Sequence, residues 1–288
     1  MVLHDSRFVH AGGTGDADCR GSQGGARRLF PMRWARMVFG LCLLCGSAGC
    51  TELASEGKHM LLSAKQQYDR GRYADANRQA TAFLASYQER PESAEALYVR
   101  ALARIQQQQI DLARADLHQA LTRSKRDDLT ANSHTQLALI AYHKGHWAAA
   151  ANHFGLALER YDTGPALDEI VYRYGVALQR VGRWNEAGRQ FAKIVRDYRG
   201  SPFQIDAQRK LAWSSQYFSI QTGAFSDRGF AKREERTLRE QGLDARTIPD
   251  RSGGSLWKVH VGKFATYDGA QSTLSSLRPI RSEAFIIP

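Results

Sequence analysis

No cysteine follows Cys50 in this 288-residue chain; all four, Cys19, Cys42, Cys45 and Cys50, lie near its start. A disulfide framework, a thiolate zinc site and a catalytic thiol are therefore excluded for everything beyond Cys50. Long apolar runs are lacking too. Met37–Cys45 is apolar for about nine residues, too short to cross a bilayer as a helix. No paired carboxylates and no zinc-ligand set stand out, which argues against hydrolase chemistry and for a chain that is not an enzyme. Acidic charge is in deficit: the formal net charge is +11, part of it from six Arg against three Asp in residues 1–49. The rest is spread along the chain as a basic soluble surface, which is no argument for nucleic acid. Composition is otherwise that of a globular protein, 43% hydrophobic and 24% charged, with room for about two domains.

What is present begins with an address. Met32-Arg-Trp-Ala-Arg36 is basic, Met37–Cys45 is apolar, and Gly46-Ser-Ala-Gly49 is small. That order is the order of a secretory signal, so residues 32–49 are read as a signal peptide. Residues 1–31, without an apolar period, are read as lying upstream of the true initiator Met32. Gly12-Gly-Thr-Gly15 there is no phosphate loop, because no strand precedes it and no helix follows. Ser47-Ala-Gly-Cys50 resembles the lipobox of bacterial lipoproteins. The resemblance implies cleavage before Cys50, acylation of Cys50, and, from Thr51 in place of Asp, an outer-membrane anchor facing the periplasm. Several acyl chains hold a protein to a membrane durably, at about 0.8 kcal/mol per buried CH₂. Residues 50–56 then form the anchor and a short linker.

The middle of the chain repeats at 37 residues. Gly71-Arg-Tyr73 with Ala76 returns as Gln108-Gln-Ile110 with Ala113, Gly145-His-Trp147 with Ala150, and Gly182-Arg-Trp184 with Ala187. Apolar residues at three- and four-residue spacing over Ala94–Gln107 and Ala131–Lys144 predict helices. A Gly that ends one helix before an aromatic opens the next predicts a hairpin, and hairpins that cannot bury their own apolar faces stack. The signature resembles the tetratricopeptide (TPR) repeat over residues 57–216, with Ile205–Gln216 as a capping helix. Such arrays hold a peptide or helix on the concave face. The phases that line it include Lys65, Tyr68, Tyr98, Leu102, Tyr142 and Tyr172. With Lys65 the one basic residue among them, a ligand's terminal carboxylate is not expected. His143-Lys-Gly-His146, with His134 and His153 nearby, reads as turn histidines, because Gly145 breaks the helix between the first two; no metal and no cofactor is expected.

Residues 217–288 contain the same strand twice. Gly223 and Gly262, Phe225 and Phe264, and Ile220 and Val259 all lie 39 residues apart. Alternation predicts strands over Tyr217–Gly223, Ala245–Ile248, Trp257–Val261 and Glu283–Ile287, and helices over Ser226–Gln241 and Tyr267–Leu277. The order is βαββαβ, with both helices on one sheet face. By parity the other face carries Ser219, Gln221, Leu256, Lys258 and His260, a surface suited to binding rather than catalysis, and Trp257 turns toward the helices.

Ile220-Gln-Thr-Gly-Ala-Phe225 and Trp257-Lys-Val-His-Val-Gly262, with Ala231, Leu238 and Gly242, resemble the SPOR domain. The resemblance implies that glycan strands of peptidoglycan, preferably stripped of stem peptides, lie across the open sheet face and meet Gln221 and Lys258. The expected fold class is therefore multidomain: an all-α TPR solenoid of four repeats plus cap, then a small α+β domain of ferredoxin- or RNP-like order. The expected function is an envelope lipoprotein that ties an unidentified protein partner to peptidoglycan, perhaps at division sites. The alternative is an adaptor in outer-membrane assembly or export whose sheet face contacts protein. A cell-wall hydrolase ranks third.

Overall fold

The structure, a computed structural model, describes residues 53–161, 167–250 and 255–288. The readings on the leader and on Cys50 lie outside these residues. Four helical hairpins come first: α1 Ser55–Asp69 with α2 Tyr73–Tyr87, α3 Ser93–Gln106 with α4 Ile110–Arg123, α5 Asp127–His143 with α6 Trp147–Leu158, and α7 Leu167–Arg180 with α8 Trp184–Asp197. A shorter helix, α9 Gln204–Ala212, closes the array. It ends earlier than the sequence predicts, because Trp213 leaves the helical region with ψ 94°.

The hairpin turns are built alike. Gly71, Gly145 and Gly182 adopt φ of 73°, 76° and 83°, the left-handed conformation that glycine reaches without a Cβ penalty. The amide three residues past each first helix donates to a carbonyl five residues back: Arg72 to Gln67 at 2.8 Å, His146 to Ala141 at 2.9 Å, and Arg183 to Leu178 at 2.9 Å. This is the Schellman closure. Gln108 takes the same turn at φ 63° without being glycine, and Gln109 still donates to Arg104 at 2.8 Å. The period therefore survives the lost glycine at the cost of local backbone strain.

Small residues set the helix spacing. Ala76, Ala80, Ala113, Ala150 and Ala187 are fully buried and let the second helix of each hairpin lie close on the first. A Cβ on Gly175 would meet the Phe191 ring at 2.7 Å, so α7 can lie on α8 only with glycine there. Leu117, Phe154 and Phe191 fill the core at the repeat period, and Phe83 fills it in the first hairpin, where Ala80 holds that phase. Each contributes about 1.5–3 kcal/mol by leaving water. One core feature had no sequence signal. Asp116, 2% exposed, accepts from Arg100 at 2.7 and 3.0 Å and from Arg104 at 2.6 Å, locking α3 to α4.

The second unit follows at once: β1 Phe218–Phe225, α10 Arg228–Glu240, β2 Ala245–Pro249, β3 Trp257–Phe264, α11 Tyr267–Leu277 and β4 Phe285–Ile287. The sheet order is β2-β3-β1-β4, every pair antiparallel. Asp227 and Thr266 cap the two helices by accepting from Phe230 and Gly269. Ile220, Val259 and Val261 pack under Ala231, Leu238, Leu274 and Leu277, with Trp257 against the same cluster. Phe218 is not part of that cluster. It is buried against Trp184, ring centroids 4.7 Å apart, and Tyr267, 5.8 Å apart.

Those contacts belong to a joint between the two units. The Arg180 guanidinium lies 4.4 Å from the Trp147 ring centroid and 3.4 Å from that of Tyr267. Trp147 and Tyr267 meet edge to face at 6.0 Å. Gln216 donates to Asn185 at 2.9 Å. The two tryptophans of the repeat signature thus serve the joint as well as the hairpin.

Candidate functional site

The face of the sheet away from α10 and α11 is ordered by cross-strand register. Phe285 on β4 lies opposite Gln221 on β1, Gln221 opposite His260 on β3, and His260 opposite Arg246 on β2. Opposed residues in antiparallel strands share a face, so these four form one row across all four strands. Two shorter rows flank it: Ala224, Lys258 and Ile248 on one side, Ile287 and Ser219 on the other.

The structure corrects part of the expected face. Ser219 is fully buried, with its hydroxyl donating to the carbonyls of Val261 and Gly262 and accepting from Arg246. It holds the strands together beneath the surface. His260 is 2% exposed, because the Trp213 ring lies over it at 6.4 Å and Arg246 lies beside it. Lys258 is not a free charge, since Asp250 pairs with it at 3.0 Å. Gln221 is half-buried, and Leu256 is 39% exposed just ahead of β3.

Three contributors were not foreseen. Phe285, half exposed, gives the face an aromatic surface beside Gln221. Arg246 donates to Ser219 and to the Gly262 carbonyl, each at 3.1 Å, and lies over the Tyr217 ring at 5.4 Å. Trp213 comes from the end of the solenoid. The alternation of Phe285 and Ile287 about Ile286 could have marked the first; Trp213 gave no sign, because it was assigned to the capping helix.

Electrostatics in the row are unusual. Burial, followed by the charges of Arg246 and Lys258, pushes the His260 imidazole down to about 4. Neither of its nitrogens has a hydrogen-bond partner, nor does Nη1 of Arg246. A buried polar atom without a hydrogen bond is costly, about 1–3 kcal/mol; Nη1 of Arg246 has the Asp244 carboxylate at 3.9 Å, while the two His260 nitrogens are left bare at the centre of the face. The arrangement can accept and donate hydrogen bonds and offer flat apolar surface. It contains no nucleophile aligned with a base.

The solenoid groove is less open than its phases suggest. Tyr98 and Leu102 are 8% and 5% exposed and pack between repeats, because α3 is covered by α5. Tyr172 is taken by α9: its hydroxyl donates to Asp206 and its ring stacks on Phe203 at 4.7 Å. Tyr142 is half-buried, edge-on to Trp147 at 5.2 Å, with Arg173 over it at 5.4 Å. Lys65 pairs with Glu95 at 2.5 Å, and Tyr68 leans on Tyr73. Lys65, Tyr68 and Tyr142 keep partial access. Nδ1 of His134 meets Nδ1 of His153 at 3.1 Å. Among the described residues no group of three or more His, Cys, Asp or Glu is placed to hold a metal ion, and no helix is long and apolar enough to cross a membrane.

Fold and face together define a helical-hairpin solenoid joined to a small domain with a four-stranded antiparallel sheet. Residues 214–288 match the family described as SPOR domain. No curated protein matches the chain. Among solved structures it is similar to a tetratricopeptide repeat protein from Parabacteroides merdae, at 16% identity and TM-score 0.48, covering 66% of this chain and 68% of that one. It is also similar to a MamA protein, at 14% identity and TM-score 0.43, covering 54% and 78%. A third is the apo form of RapI, at 15% identity and TM-score 0.44, covering 79% and 65%.

Proposed function

We propose that this chain is a non-enzymatic cell-envelope protein whose SPOR domain binds peptidoglycan glycan and whose solenoid holds a protein partner. The observation that supports it best is the row Phe285–Gln221–His260–Arg246 on the free face of a sheet within the matched residues. Gln221 offers both a donor and an acceptor to sugar hydroxyls and acetamido groups. Phe285 offers a flat apolar surface, and Arg246 a cation for the lactyl carboxylates that denuded glycan exposes. The reading includes a lipid anchor at Cys50, a place at the outer membrane facing the periplasm, and action at division sites where stripped glycan is made.

A second reading draws on the pairing of Lys258 with Asp250 and the burial of Ser219 and His260. These leave fewer free polar groups than the sequence implied, which favours an adaptor whose sheet face meets protein. Co-sedimentation with purified sacculi separates the two. The glycan reading requires binding that rises after amidase treatment, and the adaptor reading requires none; release of soluble muropeptides would instead reveal a hydrolase. Gln221→Ala combined with Phe285→Ala should weaken binding roughly tenfold, from one hydrogen bond and one aromatic contact. Gln221 is half-buried and Phe285 half exposed, so most of the stability should hold. Mass spectrometry of membrane-extracted protein should find an acylated Cys50 at the mature N-terminus.

A further inference from the structure

Trp213 belongs to the solenoid by chain position and to the sheet by contact. It ends α9, one residue ahead of the matched SPOR segment. Its indole nitrogen donates to the Tyr217 carbonyl at 3.0 Å, which fixes the ring plane. The ring lies over His260 at 6.4 Å, tilted by 38°, and meets Tyr217 edge to face at 5.9 Å. It is half-buried, so one side covers the imidazole and the rest faces outward.

The helix that carries it is anchored. Asp206 accepts from Tyr172, Phe203 stacks on the same ring, and Lys210 donates to Gln179 at 3.4 Å. The indole is thus held from the solenoid side as firmly as the sheet is held from its own. A ring positioned before the ligand arrives loses little freedom on binding.

Its place relative to Phe285 matters. Phe285 stands on β4 and the imidazole beneath Trp213 on β3, with β1 between them. Two strand spacings are about 9–10 Å. A ligand of linked rings laid across the strands would meet Phe285 at one end, Gln221 in the middle and Trp213 at the other. Beneath Trp213 lies the His260 ring, 2% exposed, whose nitrogens make no hydrogen bond; beside it is Arg246, whose Nη1 makes none and lies 3.9 Å from the Asp244 carboxylate. The ligand meets the outward side of the Trp213 ring and not the imidazole that the ring covers.

We propose that Trp213 is a ligand-contacting residue of the sheet face, so that the glycan site is a composite of both units rather than a property of the SPOR domain alone. The proposal rests on the glycan reading above, and it adds that the solenoid supplies one of the two aromatic surfaces.

The test uses the full chain and sacculi stripped of stem peptides by amidase. Trp213→Leu keeps an apolar cover over His260 and removes the flat ring; Trp213→Phe keeps a ring. Binding should fall about threefold to tenfold in the leucine variant and within about twofold of wild type in the phenylalanine variant, the scale of a single aromatic contact. In ¹H–¹⁵N spectra the Trp213 indole resonance should shift on adding solubilised denuded glycan. If wild type binds and the leucine variant binds equally well, the composite site is refuted and the glycan reading stands. If both variants weaken together with a matching loss of thermal stability, Trp213 is only structural and the proposal falls. If wild type does not bind stripped sacculi at all, the glycan reading fails and takes this one with it.

Discussion

Replacing Gly182 by alanine should loosen the joint between solenoid and sheet domain, and Gly71 provides the internal control. Both glycines close a hairpin turn with positive φ, 83° and 73°. A side chain in that conformation costs roughly 1–2 kcal/mol at either position. They differ in what the new Cβ meets. At Gly71 nothing lies within 4 Å, whereas at Gly182 the Ala265 carbonyl oxygen would be 2.9 Å away. That oxygen is backbone, in the connection between β3 and α11, and cannot rotate aside. The connection must move by a few tenths of an ångström, carrying Tyr267 away from an Arg180 guanidinium that now lies 3.4 Å from its ring centre. Forced overpacking costs about 1–3 kcal/mol. Gly71→Ala should therefore lose about 1–2 kcal/mol in urea denaturation, with unchanged small-angle scattering. Gly182→Ala should lose about 2–5 kcal/mol, the sum of strain and overpacking, and its interdomain distances should broaden. If the two variants match in both measurements, the joint is not formed in solution and the rigid coupling of the units is wrong.

Gln108→Gly should stabilise the solenoid by about 0.5–1 kcal/mol, since relief of left-handed strain exceeds the added freedom of the unfolded chain; urea melts decide it. Asp116→Ala leaves Arg100 and Arg104 facing each other without their shared partner, and should cost about 3–5 kcal/mol, with much less lost when both arginines are also replaced by methionine. The sheet domain should weaken in acid in two stages. His260, held down to about 4 by burial and then by Arg246 and Lys258, binds its proton more readily when unfolded; its contribution is complete above about 6.5 and is lost as pH falls to about 4. Burial would raise Glu235, but hydrogen bonds from Lys232 and Thr247 outweigh it and bring the carboxyl to about 2, so its contribution is lost between about 4.5 and 2. Urea stability measured against pH should show the first stage vanish in His260→Gln and persist in wild type.

The repeat was legible because its signals are local. A glycine that must turn, an aromatic that must follow and an alanine that must let helices touch recur at one spacing, and the helices begin at Tyr73, Ile110, Trp147 and Trp184 accordingly. Even the turn without glycine kept its place, because the hairpins on either side over-determine it. The second unit was legible for the same reason, since strand alternation and helix stripes each sit within a dozen residues.

The face of the sheet was legible only in outline. Parity said which side chains leave the helix side, and Gln221 does so. It did not say which strands are neighbours, so the row joining Gln221 to Phe285 and Arg246 had no signature along the chain. Parity also cannot see cover: Ser219 and His260 point the expected way and are buried, one by the strand backbone and Arg246, the other under Trp213. Likewise the groove phases found Tyr98, Leu102 and Tyr172 without showing that neighbouring helices fill the space in front of them. Periods of 37 and 2 residues fix which residues share an element and a face, because backbone geometry enforces them. Which of those residues meet a partner, an ion or solvent is decided by contacts between segments far apart in sequence, and these exist only once the solenoid, the sheet and the joint at Arg180 have packed together.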